Sequence, residues 1–268
     1  MKVARSEVVI THTLLLIATA IAVFPFLSIV ISSLRGSDSS GSLTFANYAE
    51  AWTRGGFGSA LASSALVTTA VVAVTVAVAC LAGYAMAHMR VPGVKIMLGA
   101  MLLGLVLPYE VTVLPLYQML ADWNLIDTYL ALILPQIGLS VPLGVFWMRA
   151  FFASVPKELL EAARMDGASR FIIFRSVLMP IAGPAIATLV TILFLFTWNE
   201  FLLALILVPQ NEAVQTAPLA LSFFSGAARA SDPNITAAAA VLVALPIVSA
   251  YVVLQRRLIS GITEGAVK

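Results

Sequence analysis

The chain has 268 residues, of which 61% are hydrophobic and only 10% are charged, and its formal net charge is +2. Because soluble globular domains carry about 25% charged residues, this composition excludes a soluble domain and predicts an integral membrane protein. No polar stretch is long enough to form a second core, so we expect a single membrane domain over residues 1–268. The lone cysteine, Cys80, excludes a disulfide framework within the chain.

Six segments of the chain reach the length of about 20 apolar residues that a transmembrane helix needs. The first follows Lys2 and Arg5 and continues well past a triplet, Ala18-Thr19-Ala20, that resembles a signal-peptide cleavage site, so we interpret it as a retained helix. The sequence therefore predicts an all-α membrane protein with six transmembrane helices. These segments are residues 8–32, 60–86, 96–116, 129–148, 181–208 and 236–254.

The distribution of lysine and arginine predicts the orientation, because cytoplasmic loops are enriched in both. With a cytoplasmic N-terminus, 12 of the 15 basic residues fall in inner segments and 3 in outer segments. Both termini are therefore expected on the cytoplasmic side. The inner residues are Lys2, Arg5, Arg90, Lys95, Arg149, Lys157, Arg164, Arg170, Arg175, Arg256, Arg257 and Lys268, and the outer ones are Arg35, Arg54 and Arg229.

A short amphipathic helix is predicted in the first outer loop. Phe45, Tyr48, Ala49 and Trp52 lie at i, i+3, i+4 and i+7, and their aromatic rings suit the headgroup region of a membrane. Anchoring is the simpler role for this helix, and contact with an external partner is the alternative.

The second apolar segment is rich in small residues. Ala79, Gly83 and Ala87 repeat every four positions, which lets helix backbones approach closely. We expect this face to pack inside the protein.

Two carboxylates, Glu110 and Glu200, lie within apolar segments, where burying a charge in lipid costs several kcal/mol. Each should therefore face the protein interior or a watery cavity. Glu200 is about 30 Å along its helix from Ile181 at 1.5 Å per residue, and Glu110 follows Pro108, which can kink a helix. Asn199, Glu200 and Glu110 either line a substrate route or outer gate, or tie helices together.

The stretch from Ser154 to Pro184 is the longest polar interruption between two apolar segments. Pro156 suits the first turn of a helix, and Glu158 adds a favourable negative charge there. Asp166-Gly167 ends this helix, because glycine adopts a left-handed conformation at little cost. A second helix follows, so the sequence predicts a helix, a sharp turn and a helix at a membrane surface.

Each of these two helices has a predicted apolar face. In the first helix the apolar residues lie at i, i+1 and i+4, and in the second helix they lie at i, i+3 and i+7. They consist of Leu159, Leu160 and Ala163 in the first helix and of Phe171, Phe174 and Leu178 in the second.

The same stretch carries a family resemblance. Glu161-Ala162-Ala163, followed by Gly167 and by Val177-x-Met179-Pro180, resembles the EAA loop of ABC importer permeases, with Val177 and Met179 where the family has Ile and Leu. Further resemblance lies in residues 82–93, 114–129, 198–201 and 261–268, so it covers most of the chain. These segments are similar to the carbohydrate branch of the family, in particular to the smaller maltose-type permease subunit, which has six membrane helices.

The resemblance implies a multi-pass permease of a bacterial inner or plasma membrane that imports a carbohydrate and is not itself an enzyme. It implies a second permease subunit, two ATPase subunits and an extracytoplasmic sugar-binding protein as partners, and no nucleic acid. ATP and Mg²⁺ would bind to the ATPases, and no cofactor or metal is expected on this chain. In agreement, the sequence contains no P-loop, H-E-x-x-H or G-x-S-x-G motif.

The resemblance also assigns residues to the contact with the ATPases. The loop at residues 154–180 would dock into a groove on the ATPase, with Glu161 making the polar contact and Gly167 setting the angle between the helices. The C-terminal tail would reach the ATPase dimer interface. The residues concerned are Glu161, Ala162, Ala163, Asp166, Gly167 and Pro180 in the loop and Gly265, Val267 and Lys268 in the tail.

An ion-coupled secondary transporter is the alternative from a different class. In that case Glu110 or Glu200 would titrate as part of a proton relay, and transport would continue without ATP.

Overall fold

The structure, a computed structural model, describes residues 5–36, 42–226 and 232–266, with side chains for 7–36, 42–226 and 232–253. Within these ranges the secondary structure is helical, and strand pairing is limited to one β-bridge between Arg35 and Leu43. The predicted all-α class is confirmed for this part of the chain.

Helices follow one another with short connections. In chain order they are α1 (Arg5–Ser33), α2 (Ala46–Gly55), α3 (Phe57–His88), α4 (Val94–Val106), α5 (Val113–Asp122), α6 (Tyr129–Ser154), α7 (Lys157–Met165), α8 (Arg170–Ile181), α9 (Gly183–Trp198), α10 (Leu202–Leu207), α11 (Ala217–Gly226) and α12 (Pro233–Ala266).

Four of the described helices are long and apolar enough to cross a membrane unbroken, at Glu7–Ser33, Phe57–His88, Tyr129–Ser154 and Pro233–Val253. The prediction of continuous helices over residues 96–116 and 181–208 is wrong. The chain bends by 94° between α4 and the segment Tyr109–Asp122, which interrupts the first of these predicted helices. The second is interrupted after Trp198, where α9 ends, and the chain becomes helical again at Leu202, where α10 begins. A separate bend of 73° lies between α8 and α9. The described part of the chain therefore has six spans only if each bent pair counts as one.

Proline chemistry explains the first break. Leu107 has a ψ of 130° and Pro108 a ψ of 119°, so both are extended. The ring of a proline disfavours helical geometry in the residue before it and removes a backbone donor. The chain resumes as a 3-10 turn, Tyr109–Thr112, that leads into α5.

One compact unit consists of residues 1–58 and 220–245. The predicted outer helix is present as α2, and Asn47 within it is buried. The Asn47 side chain donates hydrogen bonds to the carbonyls of Ser33 (2.9 Å) and Arg35 (2.7 Å), and the Tyr48 hydroxyl lies 2.6 Å from Ser33 Oγ. The bond to Ser33 satisfies a carbonyl at the C-terminal end of α1, which has no partner within its helix.

The second unit consists of residues 59–219 and 246–268, and small residues bring two of its helices together. A Cβ added at Gly83 of α3 would lie 2.8 Å from the backbone nitrogen of Arg149, and one at Gly144 of α6 would lie 2.9 Å from the Cβ of Ala79. The predicted close-packing face on α3 is confirmed, and α6 is the helix that packs against it.

Candidate functional site

A cavity of about 530 Å³ opens in the second unit at the break between α4 and the 3-10 turn. Its polar lining comes from three places: the 3-10 turn, the middle of α6 and the C-terminal end of α9. Both intramembrane carboxylates, Glu110 and Glu200, line it. The fold thus brings together two residues that are far apart in the sequence.

Glu110 and Glu200 differ in their surroundings. Glu110 is exposed in the 3-10 turn. Glu200 is half-buried just beyond the end of α9, and one of its carboxylate oxygens accepts a hydrogen bond of 2.8 Å from the backbone nitrogen of Leu203. Glu200 therefore caps the start of α10, and it lies in a break between helices rather than near the end of a continuous helix.

Gln136 of α6 is a cavity residue that the sequence analysis missed. Its side chain is only 5% exposed, and its carbonyl oxygen has no hydrogen-bond donor among the described residues. The signal was present, since Gln136 is an amide within the apolar segment 129–148.

Ser140 and Thr197 also line the cavity. Carboxylates, an amide and hydroxyls together can exchange hydrogen bonds with a ligand that has several hydroxyl groups.

Asn199, the third predicted residue of this set, is exposed and is not among the cavity-lining residues. Its amide nitrogen donates to the carbonyl of Leu195 at 2.8 Å, in its own helix, and the same carbonyl accepts the backbone N–H of Asn199 at 3.3 Å.

A second candidate surface is the hairpin formed by α7, the turn after it and α8. Gly167 has a φ of 79°, which confirms the left-handed conformation expected at Asp166-Gly167. The nitrogen of Gly167 donates to the carbonyl of Arg164 at 3.0 Å, and the nitrogen of Ala168 donates to the carbonyl of Ala163 at 3.0 Å. This pair of bonds is the Schellman motif, which ends a helix and reverses the chain.

The start of α8 is set by Ser169, whose side chain accepts a hydrogen bond of 3.3 Å from the nitrogen of Ile172. The sequence analysis missed this N-cap, although serine is among the preferred residues there. Pro156 immediately precedes α7 at the N-cap position, one residue before the expected place in the first turn.

The apolar faces of the hairpin differ in part from the predicted ones. Leu160 and Leu178 are buried, whereas Leu159 is 39% and Phe171 is 64% exposed. Ile173, with 2% exposure, takes the inward position in α8. Residues Ile173–Leu178 form a π-helical turn, so the periodicity of 3.6 residues assumed for this helix does not hold.

The predicted contact residues of the hairpin lie mostly on its outer surface. Ala163 is half-buried, and the others are exposed. These others are Glu161, Ala162, Asp166, Gly167 and Pro180. Of the predicted tail contacts, Gly265 lies in α12 where side chains are not described, and Val267 and Lys268 lie outside the described residues.

Aromatic side chains attach the hairpin to α3 and α6. The hydroxyl of Tyr84 donates a hydrogen bond of 3.0 Å to the carbonyl of Arg170, the first residue of α8. The ring of Tyr84 lies 5.1 Å from that of Phe174 and 6.1 Å from that of Phe152, between ring centroids. We call Tyr84, Phe152 and Phe174 the aromatic anchor.

The anchor belongs to a larger buried cluster that reaches the cavity. This cluster includes Leu160 and Ile173 of the hairpin and Leu189 and Leu193 of α9. Leu193 also lines the cavity. Packed side chains therefore connect the hairpin to the cavity wall without interruption.

The described residues contain no group of three or more His, Cys, Asp or Glu side chains that could hold a metal ion.

Comparison with protein families matches residues 79–264 to the family described as "binding-protein-dependent transport system inner membrane component". Two relatives illustrate the similarity. The trehalose transport system permease protein SugB of Mycobacterium tuberculosis is 37% identical over 227 residues, which are 84% of this chain and 82% of that protein. The melibiose/raffinose/stachyose import permease protein MelC of Bacillus subtilis is 31% identical over 277 residues, covering 100% of both chains.

Among solved structures, the chain is similar to one chain of a bacterial ABC transporter involved in the import of the acidic polysaccharide alginate. The TM-score is 0.76 at 20% identity, and the match covers 96% of this chain and 99% of the other. At this identity the similarity establishes a common fold.

Proposed function

We propose that this chain, which belongs to the family of inner membrane components of binding-protein-dependent transport systems, is the permease subunit of an ABC importer for a carbohydrate. The names of the two relatives, for trehalose and for melibiose, raffinose and stachyose, support a di- or oligosaccharide as the substrate. The cavity with Glu110, Glu200 and Gln136 would lie on the route of the sugar.

In this proposal the chain forms half of a pore in the bacterial plasma membrane, and a second permease forms the other half. A sugar-binding protein delivers the substrate from outside. Two ATPase subunits bind ATP and Mg²⁺ on the cytoplasmic side, and this chain carries out no catalysis. The inner excess of lysine and arginine supports cytoplasmic termini and a cytoplasmic hairpin.

The observation that carries the coupling step is the buried cluster between the hairpin and the cavity. The outer surface of the hairpin presents Leu159, Met165, Phe171 and Ile172 as exposed apolar side chains, next to the carboxylate of Glu161. Such a mixed surface fits a protein groove. Movement of the ATPases would displace the hairpin, and the cluster would transmit this displacement to α9, because packed interiors transmit strain.

ATP binding and hydrolysis would thus shift the population between inward-open and outward-open states, since the ATPases bind the hairpin differently in each state. The C-terminal residues Gly265, Val267 and Lys268 would reach the ATPase dimer interface. Family membership does not favour the alternative of ion-coupled transport through Glu110 or Glu200.

The test is purification of the tagged chain from its native membrane, followed by reconstitution into vesicles. We expect a second permease and an ATPase to copurify, and we expect sugar uptake to require ATP and a binding protein. Uptake that continues without ATP and collapses with an uncoupler would instead support the ion-coupled transporter.

A further inference from the structure

A second pocket, of about 880 Å³, lies at the connection between α3 and α4 and is bordered by α6. Three of its lining residues are basic: Arg90, Lys95 and Arg149. Its lining, which lies entirely within the described part of the chain, includes no carboxylate. None of the three basic side chains forms a salt bridge with another described residue. The pocket is therefore strongly positive and its charge is not neutralised within the described structure.

The backbone of Arg149 lies at the close contact of α6 with Gly83 of α3, and Arg149 lines the pocket. Its Nε atom is buried and has no hydrogen-bond partner among the described residues. A buried donor without an acceptor is costly, and the cost is larger for a charged group. An oxygen atom of a bound anion would supply the missing acceptor.

The first turn of α4 adds to the positive potential. Gly93, with a φ of 75°, precedes the helix and lines the pocket, and Lys95 lies within the first turn. The first backbone N–H groups of a helix have no partner within the helix and carry a partial positive charge. Backbone and side chains thus present donors to the same pocket.

The rest of the lining is apolar, including Met86, Met89 and Leu98. Ile96, which lines the pocket, is 79% exposed, and the exposed side chains of Leu103 and Val106 continue along α4. A ligand that contacts both the basic residues and the apolar residues of the lining must have an anionic head and an apolar tail. A free phosphate ion would make no use of the apolar part.

We propose that this pocket binds the phosphate group of an anionic phospholipid, with Arg90, Lys95 and Arg149 around the headgroup and the acyl chains along α4. Basic pockets between transmembrane helices are known to bind anionic headgroups in this way. The site goes beyond sugar import, and it does not depend on the coupling of the hairpin to an ATPase.

Native mass spectrometry of the purified transporter complex tests the site with three probes: short-chain phosphatidylglycerol, short-chain phosphatidylcholine and inorganic phosphate. We expect phosphatidylglycerol to bind in preference to phosphatidylcholine. Lys95→Gln and Arg149→Gln should each weaken its binding about fivefold or more, since each basic residue near anionic lipid contributes about 1 kcal/mol. Arg175→Gln, which removes an exposed charge outside the pocket, is the control and should bind lipid normally.

Lys95 is exposed, so its replacement tests the site even if Arg149→Gln does not fold. Equal retention of phosphatidylcholine and phosphatidylglycerol would overturn the proposal. So would normal lipid binding by Lys95→Gln. Displacement of the lipid by an equal concentration of inorganic phosphate would indicate a phosphate site instead, and crosslinking of a partner's acidic segment into the pocket would indicate a protein contact.

Discussion

The hydroxyl of Tyr84 in α3 donates a hydrogen bond of 3.0 Å to the backbone carbonyl of Arg170, where α8 begins. This bond joins a membrane-spanning helix directly to the second helix of the hairpin. The accepting carbonyl belongs to the first residue of α8, so the bond connects the hairpin to the rest of the second unit.

Tyr84→Phe should reduce coupling, because it removes this bond and keeps the ring in the aromatic anchor. We expect the free energy of unfolding to fall by about 1 kcal/mol. We also expect sugar-stimulated ATPase activity of the assembled transporter to fall more in Tyr84→Phe than in the control variant below. Tyr129→Phe is the matched control, since the Tyr129 hydroxyl bonds to the carbonyl of Ala213 at 3.1 Å, away from the hairpin. Equal stimulation in both variants would contradict a role of the Tyr84 bond in coupling.

Gly167→Pro should abolish sugar-stimulated ATPase activity and leave membrane insertion intact. Proline requires a φ near −65°, whereas Gly167 has a φ of 79° and its nitrogen donates to the carbonyl of Arg164. Gly167→Asn is the control, because asparagine tolerates the left-handed region and an added Cβ meets no atom within 4 Å. Full activity in Gly167→Pro would count against the hairpin as the coupling element.

Cysteine labelling tests the proposed orientation. In a Cys80→Ser background, Met165→Cys places a thiol at a side chain that is 88% exposed on the hairpin, and Leu43→Cys places one at a side chain that is 79% exposed in the first outer loop. A membrane-impermeant maleimide should label position 43 in intact cells and position 165 only in inverted vesicles. Bound ATPase should protect position 165. Labelling of position 165 from outside would refute a cytoplasmic hairpin.

Glu110→Gln and Glu200→Gln should each raise the sugar concentration for half-maximal uptake about fivefold or more, since charge-assisted hydrogen bonds are roughly twice as strong as neutral ones. The amide of Glu200→Gln can still accept the bond from Leu203, so α10 should keep its cap. Asp122→Asn removes an exposed carboxylate outside the cavity and serves as the control. Unchanged uptake in both cavity variants would place the sugar route elsewhere.

Gly83→Ala should destabilise the protein by about 1–3 kcal/mol, as overpacking does, because its Cβ would lie 2.9 Å from the Cβ of Met148. Gly99→Ala is the matched control, since no atom lies within 4 Å of its added Cβ. Thermal unfolding can be followed with a thiol-reactive dye, because Cys80 is buried and is the sole cysteine. A transition temperature unchanged in Gly83→Ala would contradict the tight contact between α3 and α6.

Local signals in the sequence predicted much of this fold. The long apolar segments, the small-residue face around Gly83 and the left-handed turn at Gly167 each depend on a few neighbouring residues. The breaks were harder to predict. Pro108 was recognised as a possible kink, but the sequence did not predict a bend as large as the 94° between α4 and the segment Tyr109–Asp122.

The inward face of α8 was predicted only in part. Phe174 and Leu178 pack inward as predicted, whereas Phe171 is exposed and Ile173, the first residue of the π-helical turn, is buried. Gln136 was missed, although an amide within an apolar segment indicates a polar partner or a cavity; the sequence does not say which residues share that cavity.

By itself the sequence determined that the chain is a helical membrane protein and that two helices meet at Gly167, because hydropathy and backbone preference act over short distances. Only the tertiary structure decided that Glu110, Gln136 and Glu200 share a cavity and that Tyr84 holds α8. These contacts depend on how helices that are distant in the sequence pack together. The residues along one helix do not specify which other helix packs against it.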